Sequence, residues 1–155
     1  MEDLLDPLLW TLRFKEIGLR FHGYRHERMP LGPSRFGSYH RVGRNGAPPL
    51  VFIHGIALFP EWWSPLLKRL PLKYSVSALE LMGFSRSPGR ELDPKNFHLK
   101  LHCQQIRLLK ETFGWDRMIL TGVSLGGWVC LTHALAHPED VKGLILYAPA
   151  GVTLD

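Results

Sequence analysis

Apolar positions in this chain fall into short runs whose period changes several times. Leu50–His54, Tyr74–Leu81, Arg117–Thr121 and Lys142–Tyr147 read as strands, each a compact run of mainly apolar residues bounded by turn residues. Between them, helical spacing predicts helices near Glu61–Leu70, near Pro94–Phe113 and over Leu125–His137. Strands alternating with helices imply an α/β fold: a mostly parallel sheet with crossover helices. There is no internal repeat and no low-complexity tract.

The beginning of the chain follows a different pattern. Asp6 and Pro7 suit an N-cap and first helical position, and a short helix is expected from there toward Gly18. Its apolar side carries Leu5, Leu8, Leu9 and Leu12, with Trp10 and Phe14 nearby and charge from Arg13, Lys15 and Arg20. Packing on its own domain is the preferred reading; peripheral membrane contact as an interfacial helix is the alternative. Residues 22–49 are rich in Gly, Pro, Arg and His, and stretches such as "MPLGPSRFGS" and "GRNGAPP" predict turns and loops. Residues 1–47 are therefore expected to form an N-terminal helix followed by a basic irregular segment.

Charge sharpens that division. The 155 residues have a formal charge of +5, unevenly spread. Residues 1–10 hold three acids and no base, residues 11–44 hold eight Lys or Arg against two acids, and the remainder holds eleven against nine. A solvated basic face accounts for this without a partner, and the segment lacks the aromatic interleaving of nucleic-acid modules, so no nucleic-acid partner is expected. The two cysteines, Cys103 and Cys130, form no CxxC or zinc-ligand spacing and read as reduced core thiols, which suits an intracellular, cytoplasmic protein, with organellar or peripheral-membrane placement as alternatives. Met1–Phe21 lacks the features of a secretory signal. The uncharged stretch Met118–Pro138 has the length of a membrane span, but Gly122, Ser124, Gly126, Gly127, Thr132 and His133 interrupt it.

That same stretch holds the candidate chemistry. Gly122-Val123-Ser124-Leu125-Gly126 fits G-x-S-x-G, with a predicted strand before it and a predicted helix after it. A serine on so sharp a turn would bring side chains two positions away into neighbouring elements, and glycine relieves both collisions. Gly127 permits close packing of the helix on the sheet. Ser124 then stands at a helix N-terminus as candidate nucleophile, with the Leu125 N–H as an oxyanion donor. A second donor is expected from the loop after an earlier strand; "VFIHG" supplies one, with the Ile56 N–H in position.

With "PLVFIHG", "LELMGFSRSPGR", "MILTGVSLGGW" and "HPEDVKGLILYAPAG" in order, residues 48–151 resemble the α/β-hydrolase superfamily, most closely its serine hydrolases of lipid and carboxylic esters. The resemblance makes residues 48–155 the N-terminal part of such a domain and gives His54 and Gly55 the task of shaping the oxyanion loop. It implies no cofactor and no metal, and a small-molecule or lipid ester as substrate. Glu80 stands where the family usually has Asp, and Ser85 where it usually has Gly, so the turn between them is expected to be slightly remodelled.

A serine nucleophile also needs a histidine base and an orienting acid, which in this family follow it in the chain. Only thirty-one residues follow Ser124, and their histidines, His133 and His137, fall on the predicted helix, with His137-Pro138 read as its termination. His98 and His102 have i, i+4 spacing but no evident third ligand, and read as a solvated face. The fold is thus expected to be incomplete, lacking a lid and C-terminal strands. Two explanations fit: a truncated serine hydrolase, inactive alone, or a non-catalytic α/β-hydrolase-like binding or scaffold protein. The intact elbow favours the first.

Overall fold

A computed structural model of the chain describes residues 6–32, 34–44, 47–84 and 99–151. Helix α1 runs Pro7–Phe21, with the Asp6 side chain accepting from the Leu8 N–H at 2.8 Å as its N-cap. It passes through Gly18 rather than ending there. Strands β1 (Arg25–Leu31) and β2 (Ser34–Arg41) form an antiparallel hairpin. β3 (Leu50–Ile53) leads to a 3-10 turn, Pro60–Trp63, and the short α2, Ser64–Leu67. Then come β4 (Val76–Leu79), α3 (Leu99–Thr112), β5 (Met118–Val123), α4 (Leu125–Ala136) and β6 (Val141–Tyr147).

The six strands make one sheet in the order β1-β2-β4-β3-β5-β6, with β4, β3, β5 and β6 mutually parallel and the hairpin antiparallel beside them. This corrects the reading of residues 22–49 as irregular. Arg25–Leu31 and Ser34–Arg41 are strands, and the turn signals mark the ends of the hairpin strands and the exit near Gly43. The helix expected near Glu61–Leu70 is also shorter, because Pro60, Pro65 and Pro71 divide the segment.

Both faces of the sheet are covered at β3, β4 and β5, which is why these strands read as continuous apolar runs, whereas β6 at the edge leaves Leu144, Ile145 and Tyr147 exposed. Val51, Ile53, Leu79, Met118 and Leu120 pack with Ile106 and Leu109 of α3 and Leu125, Val129 and Cys130 of α4. Their strand neighbours Leu50, Phe52, Val76, Ala78 and Val123 pack on the other side with Leu19 of α1, Trp63 and Leu67. From β3 the chain moves toward β4, whereas from β5 it moves away toward β6. The carboxyl ends of β3 and β5 therefore flank the point where strand order reverses, the customary crevice for a ligand in an open α/β sheet.

Candidate active site

The chain turns sharply at that crevice. Ser124 joins β5 to α4 with φ 51° and ψ −119°, a backbone conformation costly for any residue with a Cβ. A Cβ at Gly122 would run into the Gly126 carbonyl, and one at Gly126 would strike the carbonyl oxygens of Ile53 and His54 at the end of β3. A Cβ at Gly127 would approach Pro149 to 2.7 Å. The glycines thus answer three separate close approaches: within the turn, against β3, and against the segment after β6.

Two backbone hydrogen bonds hold the turn from outside. The Ser124 N–H donates to the Tyr147 carbonyl at 3.1 Å, and the Ser124 carbonyl accepts from the Ala150 N–H at 2.9 Å. The Ser124 side chain stays partly exposed. Leu125 occupies the first position of α4, where backbone N–H groups have no partner within the helix and the dipole favours negative charge.

The loop after β3 meets this turn directly. A Cβ at Gly55 would lie 3.2 Å from the Ser124 Cβ and 3.3 Å from the Val123 carbonyl oxygen, so the two backbones nearly touch. Ile56 follows with its side chain exposed, and Ala57 takes φ 56° to complete the turn. His54 is fully buried: Nδ1 bonds to the Gly55 carbonyl at 2.8 Å, and Nε2 lies 3.0 Å from the Leu81 N–H. Because a backbone N–H needs an acceptor, Nε2 is unprotonated and the proton sits on Nδ1. Burial pushes the imidazole below its ordinary pKa, partly offset by the Gly55 hydrogen bond. Both ring nitrogens are occupied, so His54 ties the ends of β3 and β4 together.

A second buried tie was not legible in the sequence. From α3, Gln105 Oε1 accepts from the Met82 N–H at 3.2 Å and bonds to His102 Nδ1 at 2.8 Å, while Gln105 Nε2 donates to the Glu80 carbonyl at 3.0 Å. This anchors residues 80–82 beside the crevice. His102 is buried, correcting its assignment to a solvated face, and burial lowers its pKa. His98 and Ser85 lie outside the described residues. A Gln three residues after His102 and four before Leu109, on one helix face, is the hint the sequence offers.

The two histidines after Ser124 lie far from it. His133 is nine residues along α4, roughly 13 Å down the helix axis, buried with Nε2 3.4 Å from Asp140 Oδ2. Lys110 pairs with the other oxygen of Asp140. Burial pushes the His133 pKa down to about 4, with Asp140 opposing the shift. Asp140 itself is raised by burial, but Lys110 and the neighbouring histidines more than offset this and its carboxyl titrates below the usual range. At this same end His137, Glu139 and Asp140 have metal-ligand atoms within 4.8 Å of one another, although Lys110 already neutralises Asp140. Nothing there touches the Ser124 turn.

Residues 48–155 match the family model for the alpha/beta hydrolase fold. The chain belongs to the α/β-hydrolase family. Epoxide hydrolase 4 of Homo sapiens is 28% identical over 146 residues, covering 92% of this chain and 36% of that protein. The (Lyso)-N-acylphosphatidylethanolamine lipase of Homo sapiens is 33% identical over 113 residues, 72% of this chain and 33% of the lipase. The α/β-hydrolase chain thus spans about a third of the length of these relatives. Among solved structures, a membrane phospholipase A described as a bacterial virulence factor superposes with TM-score 0.81 at 24% identity, covering 95% of this chain and 46% of that one. Naproxen esterase from Bacillus subtilis gives 0.76 at 20% identity, covering 97% and 53%. At such identities these structures support the hydrolase fold alone.

Proposed function

We propose that this chain supplies the nucleophile and oxyanion portion of a serine hydrolase that acts on a carboxylic ester, with lipid acyl esters as the favoured class. The observation that carries the reading is Ser124, held at φ 51° between β5 and the N-terminus of α4 with the Gly55 loop against it. In the proposed step, Ser124 Oγ attacks the ester carbonyl carbon, the carbonyl π electrons move onto oxygen, and the hydroxyl proton passes to a base. The N–H groups of Leu125 and Ile56 receive the oxyanion. Collapse of the intermediate expels the alcohol and leaves an acyl-serine for water to hydrolyse.

The base and its orienting acid would come from chain following Asp155 in a longer protein, in keeping with the third of its relatives' length that this chain spans. Without them the chain is expected to be inactive. The lipase among its relatives supports a lipid ester, met in solution or at a membrane that α1 touches. Buried Cys103 and Cys130 support an intracellular setting. The second reading, a non-catalytic binding protein of this fold, is favoured by the engagement of His133 with Asp140 instead of Ser124.

Fluorophosphonate labelling of the full-length natural product decides between them. Covalent labelling that disappears in Ser124→Ala is expected. Labelling that persists in that variant would remove Ser124 as nucleophile, and none in either protein would favour the binding reading.

A further inference from the structure

Helix α1 has two apolar stripes, and among the described residues one is buried against the body of the protein while the other stays largely exposed. Leu12 and Leu19, seven residues apart, are buried. At about 100° per residue the opposite side of the helix carries Trp10, Phe14, Ile17 and Phe21, at spacings of four, three and four. These side chains are 45%, 66%, 49% and 86% exposed. A helix needing only to pack on its domain would have polar residues there. This refines the expectation from sequence: the packing side centres on Leu12 and Leu19, with Leu9 half-buried, while Leu8 is largely exposed.

The stripe continues past the helix end. Phe21 borders a depression with Val42 and Leu72, both exposed, and with Arg44 and Lys68. Beside α1, Lys15 borders a second depression with exposed Trp62 and Leu66. Segments 6–23, 41–44 and 68–73 together hold eight Lys or Arg against two acids, Asp6 and Glu16. Asp6 is spent on capping the helix, Glu16 pairs with Arg20 at 3.3 Å, and Arg41 turns inward to the Leu70 and Pro71 carbonyls. Arg13, Lys15, Arg44, Lys68, Arg69 and Lys73 are the remaining positive charges of these segments.

We infer that the outer stripe of α1, with the corner at Phe21, Val42 and Leu72, docks on an anionic lipid bilayer. Large aromatic and aliphatic groups enter the boundary between headgroups and acyl chains while flanking cations meet lipid phosphates, the arrangement of an interfacial helix. Among the described residues no helix is long and apolar enough to cross a membrane, so the contact lies on the surface. The inference deepens the proposed function and rests on it only for the lipid ester as substrate, because the docking surface does not include Ser124.

Co-sedimentation of the full chain with vesicles tests it. Binding is expected to vesicles of phosphatidylcholine mixed with phosphatidylglycerol, to weaken with added salt, and to be far weaker to phosphatidylcholine alone. Phe14→Ser and Phe21→Ser should each reduce partitioning roughly tenfold, the cost of one lost aromatic insertion. Lys68→Gln should cost about fivefold on the anionic vesicles only. Both aromatic side chains are solvent-exposed, so unchanged circular dichroism melts should accompany the loss. Equal binding to both vesicle types, no sedimentation, or aromatic variants that bind like the parent would overturn the inference. So would a dimer abolished by Phe14→Ser, which assigns the stripe to a second copy. Ser124→Ala should bind vesicles normally; intact Ser124 labelling without vesicle binding would sink this inference alone.

Discussion

The Ser124 N–H donates to the Tyr147 carbonyl oxygen at 3.1 Å, which couples the turn after β5 to the end of β6. With the return bond from Ala150 to the Ser124 carbonyl, the turn is held by backbone groups that any sequence would supply. What the sequence must supply is tolerance of φ 51°, and serine tolerates it poorly. Ser124→Gly should therefore be more stable than Ser124→Ala by about 1 kcal/mol or more, since only glycine releases the strain. Urea denaturation of the two variants measures this directly. Equal midpoints would mean that the turn stores no strain at this residue.

Gly126 and Gly114 make a matched pair of controls. At Gly126 an added methyl meets the backbone carbonyls of Ile53 and His54, which cannot rotate away. At Gly114, with φ +62°, it meets nothing within 4 Å. Gly126→Ala should cost about 3 kcal/mol, at the upper end of overpacking penalties, and separate β3 from α4. Gly114→Ala should cost only the conformational term, about 1 kcal/mol. Reversal of that order in denaturation midpoints would show that β3 yields to the extra methyl.

Gln105 allows its donor and acceptor roles to be separated. Gln105→Leu leaves the Met82 N–H and the Glu80 carbonyl without this partner, and buried groups so deprived cost about 1–3 kcal/mol each. Gln105→Glu keeps both acceptor bonds to Oε1; while protonated its O–H replaces the Nε2 donor to the Glu80 carbonyl, and once ionised it loses that donor. The glutamate variant should be the more stable of the two at a pH where its carboxyl is protonated. Hydrogen exchange at the Met82 amide should accelerate in the leucine variant, and unchanged protection there would show that the amide has another acceptor.

These anchors explain which parts of the molecule can be read from sequence. β3, β5 and β6 were placed to within a residue or two because they are compact apolar runs, and α4 because its start is fixed by Ser124. β1 and β2 escaped because their pattern is masked by polar residues that the fold buries: Ser38, His40 and Arg41 lie in the interior, and Pro30 is tolerated on the edge strand. At the candidate site, the glycine spacing is a local signal, set by collisions within a few residues and against β3. The supports at Gln105, Tyr147 and Ala150 reach the site from elsewhere in the chain, and ordinary residue types or bare backbone provide them, so no motif announces them.

Acidification should expose the buried histidines. His133 has a folded-state pKa of about 4, displaced downward by burial from an unfolded value of 6.5. As pH falls below about 6.5 the unfolded chain takes up the proton first, so stability is lost between about pH 6.5 and 4 and is fully present above that window. One such group contributes up to about 1.4 kcal/mol per pH unit. His26, His40, His54 and His102 are displaced in the same direction by burial and steepen the loss. Asp140 acts lower: its carboxyl, held down by Lys110, weakens the fold only below the ordinary carboxylate range. His133→Leu, which keeps the Lys110–Asp140 pair, should therefore flatten the dependence between about pH 6 and 4.5 without abolishing it. Urea unfolding across that range gives the two slopes, and parallel profiles would show that His133 takes up its proton equally in the folded and unfolded states.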